Sequence, residues 1–240
     1  MTDRGEKALD LSRDRLQIGP SAMVWKTDRL EVQIDEICTP HAQRIRGTVT
    51  IHPSALTDQE LPLTDDGAHI WRPFAPTARI EVCLNRPGWS WAGHGYFDAN
   101  FGTRALETDF DYWTWGRFPL RDGSACFYDL ERRDGTTLAT GVGFQVDGTP
   151  YAVEMPPKQR LSRPLWMVRR ETRCDAGYRP LQVKAMLDAP FYNRSAIRTR
   201  INGEETVGVH EALDLGRFRK PWLMPVLAVR VPRRQHWSAG

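Results

Sequence analysis

Apolar and polar residues alternate along much of this chain with a period of two. In Leu30-Glu31-Val32-Gln33-Ile34-Asp35 one face is oily and the other carries acids, the pattern of a half-buried strand. Further strands are predicted at Ile45 to Ile51, Arg79 to Leu84, Tyr112 to Phe118, Ala125 to Leu130, Leu138 to Val146, Leu165 to Arg170, Leu181 to Leu187, Ser195 to Ile201 and Thr206 to Leu213. Asp66-Gly67, Asp122-Gly123, Asp134-Gly135 and Asp147-Gly148 mark turns between them. Helical spacing is confined to a short amphipathic stretch at the N-terminus and another around Pro221 to Val231. The pattern predicts an all-β barrel or sandwich. A seam is expected between Arg104 and Asp109, where an aromatic, glycine-rich run gives way to regular strands, dividing the chain into units 1–106 and 107–240.

Composition narrows the class without naming a chemistry. The 240 residues are 40% hydrophobic and 26% charged, with a mean hydropathy of −0.51, as in water-soluble globular proteins. A net charge of +3, with acids scattered among the bases, gives no footprint for nucleic acid. Cys38, Cys83, Cys126 and Cys174 lie far apart, with no Cys-x-x-Cys pair and no adjacent histidine to complete a zinc set, so no metal is expected. With no signal peptide ahead of them they are read as reduced core thiols of a cytoplasmic protein.

One segment stands apart. Between Gly67 and Arg117 lie five of the nine tryptophans, Trp71, Trp89, Trp91, Trp113 and Trp115, with Phe97, Phe101 and other rings among them. That density suits a flat, extended apolar ligand that stacks on rings, and an aromatic-rich core explains the composition equally well.

The order of residues in this segment is more specific. The run Gly93-His94-Gly95-Tyr96-Phe97-Asp98-Ala99-Asn100-Phe101-Gly102, then Trp113-Thr114-Trp115-Gly116-Arg117, resembles the Gly-Tyr-x-Asp-x-Asn-x-Gly and Trp-x-Trp-x-Arg signature of the carotenoid 1,2-hydratases. His69-Ile70-Trp71 supplies that family's His-x-Trp element. The resemblance runs from about Met1 to Val231. It implies two tandem lipocalin-like β units, essential residues at His69, Trp71, Tyr96 and Asp98, and an acyclic carotenoid such as neurosporene or lycopene as substrate, with water as the second reactant. Relatives carry further residues ahead of the position of Met1, so the first unit is expected to be incomplete at its N-terminus.

Hydrating a trisubstituted alkene needs a proton donor and then capture of a tertiary cation by water, with no cofactor. Asp98, held in an apolar aromatic pocket, is expected to stay protonated and act as the acid, against the plainer reading that it caps a turn through Asn100. Tyr96 is expected to bond that carboxyl, Trp71 to face the cation, and His69 to accept the proton of the attacking water or orient it. Trp89, Trp91, Phe97, Phe101, Trp113 and Trp115 are expected to line the substrate channel, with His94, Asn100 and Arg117 supporting them. Peripheral contact with the inner or photosynthetic membrane is expected through Pro221 to Val229 and its flanking arginines, although the same segment also reads as a final core strand. Two further readings stay open: a lipocalin-like cyclase of a polyene or polyketide, and a non-catalytic binder of hydrophobic pigments.

Overall fold

The alternating runs become strands because each has a side to bury and a side to hydrate. The computed structural model describes residues 4–38 and 42–223. The first strands are β1 (Leu9–Leu11), β2 (Arg15–Ile18), β3 (Ser21–Trp25), β4 (Leu30–Ile37), β5 (Arg44–Pro53) and β6 (Leu61–Pro62). Two long strands follow, β7 (His69–Arg86) and β8 (Trp89–Gly102), separated by Pro87-Gly88. A single helical turn, α1 (Leu106–Asp109), leads to β9 (Phe110–Leu120), β10 (Gly123–Arg132), β11 (Thr137–Gln145) and β12 (Pro150–Ala152). The rest are β13 (Lys158–Arg160), β14 (Glu171–Arg173), β15 (Leu181–Asp188), β16 (Tyr192–Ile201), β17 (Glu204–Asp214) and the short helix α2 (Leu215–Phe218). The protein is therefore all-β. One sheet runs β1-β2-β3-β4-β5-β7-β6 with β8 on β7, a second runs β12-β11-β10-β9-β17-β16-β15, and β13 pairs with β14.

The described chain forms two compact units. One comprises the residues up to Ser54 with Ala78–Tyr96; the other comprises Ala55–Thr77 and Phe97–Leu223. The step from one large sheet to the other falls at α1, beside the expected seam at 106/107, yet the second unit reaches back to Ala55. Contacts inside that unit give the reason: Arg117 Nη2 and Ser124 Oγ both donate to the carbonyl of Pro76, at 2.8 and 3.0 Å.

In the first unit β4 and β5 pair along Leu30↔Ile51 to Ile37↔Arg44, and β5 pairs with β7 through Val49↔Val82. Ala22, Leu30, Ile51, Ala78 and Val82 are its buried apolar residues. In the second unit the seven-stranded sheet buries both faces. One carries Phe118, Ala125, Phe127 and Ile201 with Val153, while Tyr112 and Ala212 pack on Val168. Arg173 ties this side down through Asp129, and Arg170 through Ser195 at 2.7 Å. The other face carries Trp113, Trp115 and Arg117 of β9 beside Cys126, Tyr128 and Leu130 of β10.

Several expectations are corrected. The N-terminal stretch holds only a 3-10 turn, Glu6–Ala8, before strands β1 to β3. Leu165 to Arg170 is not a strand: Pro164 opens a turn closed by Met167 N on Pro164 O at 2.9 Å, with Met167 at a φ of 57°. The β16–β17 hairpin turns on Asn202-Gly203, both at positive φ (53° and 83°), a signal the Asp-Gly inventory passed over. All four cysteines are free thiols, but only Cys126 and Cys174 are buried, and Cys83 is exposed. Pro221–Leu223 forms one 3-10 turn, and the segment from Met224 lies outside the described residues. No helix among the described residues is long and apolar enough to cross a membrane.

Candidate active site

The motif residues converge through pairing of β7 with β8. Trp71 is 1% exposed, and its indole Nε1 donates to Asp98 Oδ2 at 2.8 Å. The Trp71 ring meets Tyr128 edge-on at 5.4 Å, and the Tyr128 hydroxyl donates to Asn100 Oδ1 at 3.3 Å. Trp113 abuts Tyr128 at 6.0 Å, Phe110 abuts Trp113 at 5.7 Å, and His69 lies 5.0 Å from Phe110. A continuous chain of rings thus runs from the Asp98 carboxyl to the His69 imidazole.

His69 answers to a different carboxylate. It is 2% exposed, and its Nε2 lies 2.7 Å from Asp109 Oδ2. Arg104 spans Asp109, at 3.0 Å, and Asp66, at 2.7 Å. Hydrogen bonds from Arg104 and then from His69 hold the Asp109 carboxyl below the usual carboxylate range. Asp66 is lowered as well, chiefly by Arg104 and then by the Ala68 N–H. The closing glycine of the motif belongs to this cluster: a Cβ on Gly102 would lie 2.5 Å from Ala68 O and 2.7 Å from His69 Nδ1. Only a hydrogen fits there.

The seven-stranded sheet contributes residues that no local motif announced. Register sets Tyr128 and Glu211 on either side of Trp115, and sets Arg194 opposite Glu211 with its Nε 3.3 Å from Oε1. Burial dominates the acid–base behaviour of this face. It raises the Tyr128 and Tyr192 hydroxyls and pushes the Cys126 thiol up to about 12, against the pull of Arg117. Burial also raises Glu211, opposed by Arg194 and Tyr192. All of these shifts run towards the neutral form, the direction that a low-dielectric wall gives.

Other predicted residues fall elsewhere. Trp113, Trp115 and Arg117 are buried, whereas Trp89, Trp91, His94 and Phe101 are exposed along β8. Phe97 is half-buried and stacks on Phe74 at 5.6 Å. Tyr96 is half-buried at the end of the Ala78–Tyr96 stretch of the first unit.

A carboxyl set among buried rings in an all-β fold is the kind of lining that a site for an apolar molecule uses. Among solved structures the fold is similar to a putative AttH of Nitrosomonas europaea, with a TM-score of 0.58 and 13% identity over 88% of this chain and 72% of that one. It is also similar to CghA with Sch210972, with a TM-score of 0.50 and 12% identity over 89% and 73%. The sequence profile of the carotenoid hydratase CrtC family matches residues 1–240, and the chain belongs to that enzyme family. Acyclic carotenoid 1,2-hydratases of Cereibacter sphaeroides and Rhodobacter capsulatus are 56% and 55% identical over 99% of this chain and 85% of their own lengths. The relative from Thiocapsa roseopersicina is 38% identical, and there the match spans 58% of its length.

Proposed function

We propose that the protein hydrates the terminal 1,2 double bond of acyclic carotenoids such as neurosporene and lycopene, giving 1-hydroxy products, with Asp98 as the proton donor. The observation that carries this reading is the 2.8 Å hydrogen bond from the Trp71 indole to Asp98 Oδ2. In this reading Oδ2 accepts from the indole while Oδ1 carries the transferable proton. That proton goes to C-2 of the alkene, the positive charge appears at the tertiary C-1, and water adds there. The proton shed by the water returns to the carboxylate, so atoms and charge balance and no cofactor is called on. The Trp71 and Tyr128 rings offer π faces to the cation, worth about 0.5–2 kcal/mol. His69 keeps a holding role through Asp109, because its Nε2 is already engaged there. Tyr96 belongs to the proposal as a supporting hydroxyl. Because the substrate is a bilayer-resident hydrocarbon, the enzyme works while resting on a membrane surface.

Asp98→Asn tests the reading, since it keeps size and hydrogen bonding but removes the proton. Turnover of lycopene, followed by chromatography for the more polar product, is expected to fall at least ~100-fold. The shift of the carotenoid absorption bands on binding is expected to persist. An Asn variant that hydrates lycopene near the parent rate removes Asp98 as the acid.

A further inference from the structure

The turn that replaced the expected strand at Leu165 presents apolar side chains to solvent. Leu165 is 86% exposed, Trp166 46% and Met167 50%, although large apolar side chains normally withdraw from water. The turn is not loose. Arg217 of α2 donates to Trp166 O at 2.6 Å and to Pro190 O at 3.2 Å, and Leu165 N donates to Asp188 Oδ2 at 2.9 Å. Phe218 packs on Phe191 at 5.1 Å. These bonds join three segments into one surface: the turn, the end of β15 with exposed Leu187, and α2 with the following 3-10 turn, where Trp222 is 62% exposed. Arg163, Arg219 and Lys220 stand exposed on the same segments.

We propose that this surface docks the enzyme on an anionic lipid bilayer. Aromatic and aliphatic side chains beside cations that form no ion pair among the described residues fit the headgroup boundary, where rings insert and bases meet lipid phosphates. The inference rests in part on the carotenoid reading above, which needs access to a membrane. Placement supports it: Leu213 of β17 sits between Trp113 and Tyr192 at this end of the sheet. Glu211 lies three residues in from Asp214, roughly 10 Å at the rise of a strand. A carotenoid end leaving the bilayer here would have about that distance to cover to the face that carries Trp115 and Tyr128.

Flotation with phosphatidylcholine vesicles containing phosphatidylglycerol tests the surface without any carotenoid. The parent protein is expected to float at low salt, and less in high salt or with phosphatidylcholine alone. Arg219→Gln with Lys220→Gln is expected to weaken partitioning about 25-fold, from about fivefold per cation. Leu165→Ser with Trp166→Ser is expected to weaken it on both vesicle types. Leu56→Ser removes another exposed leucine, next to Ala55, which abuts Gly148 at the opposite end of the sheet, and is expected to change nothing. Vesicle binding equal in all variants overturns the proposal. So does a parent that never floats but becomes monomeric only in the Leu165/Trp166 variant, which would make the patch an interface between copies. With vesicle-embedded lycopene the docking variants are expected to slow, while turnover of detergent-dispersed lycopene holds. A parent that floats through this patch yet hydrates nothing sinks the proposed activity and leaves the docking surface standing.

Discussion

Replacing His69 with Gln separates a holding role from a proton-accepting one. The imidazole Nε2 lies 2.7 Å from Asp109 Oδ2, and its ring packs 5.0 Å from Phe110. Glutamine can present an N–H to the same carboxylate while lacking the imidazole ring and its second nitrogen. A hydrogen bond to a charged carboxylate is worth about 1.5–3 kcal/mol, and the ring contact about 0.5–1.5 kcal/mol. His69→Ala loses both, and in a chain of this size the melting temperature is expected to fall by roughly 5–15 °C. His69→Gln keeps most of the first and loses the second, so it is expected to melt within about 5 °C of the parent. Its kcat on detergent-dispersed lycopene is expected to stay within about tenfold, because the chemical step loses nothing, whereas removing a general base costs about 100-fold or more. Both quantities are to be followed from mildly acidic to mildly alkaline pH. A Gln variant that melts like the parent but turns over ~100-fold slower throughout would refute the reasoning and return His69 to the attacking water.

Gly102→Ala places a methyl 2.5 Å from Ala68 O and 2.7 Å from His69 Nδ1. A cost of about 1–3 kcal/mol is expected, visible as a melting temperature lower by several degrees, and an unchanged melt would show that β8 yields freely there. Glu211 is raised by burial, so its folded value lies above its unfolded one, and its contribution to stability falls as pH climbs from the usual carboxylate range through the folded value. Glu211→Gln lacks that loss, so its melting temperature relative to the parent is expected to improve steadily from acid to neutral pH; a flat difference contradicts the burial. Asp109 is lowered, first by Arg104, so its stabilisation is present above the unfolded carboxylate value and disappears as pH falls through the folded value. Asp109→Asn is therefore expected to be less stable than the parent at neutral pH and nearly equal to it in strong acid, by calorimetry at both pH values.

What could be read in the sequence was what lies close together in it. The alternation of Leu30 to Asp35 yielded β4 because burial of one strand face leaves a local period of two. The resemblance pointed to Trp71 and Asp98 separately, and their contact comes from the pairing of the strands that carry them, which no local spacing spells out. Leu165 to Arg170 misled because an apolar run reads the same whether its side chains go into a core or out into water. The exposure of Trp89 and Trp91 could not be read either: composition shows that rings are present, not which way they face. The contact of His69 with Asp109 could not be read because Asp109 lies forty positions away with no pattern joining them. Tyr128, Cys126 and Glu211 were out of reach for a deeper reason. Each is an ordinary residue in an ordinary strand, and only the register β10-β9-β17 lines them up with Trp115 and Arg117. Their burial then raises the Cys126 thiol, the Tyr128 hydroxyl and the Glu211 carboxyl on that face. Under the proposal that Asp98 is the acid, a proton held near neutral pH calls for apolar surroundings more than for any one partner, and those surroundings are written in the sheet rather than in the motif.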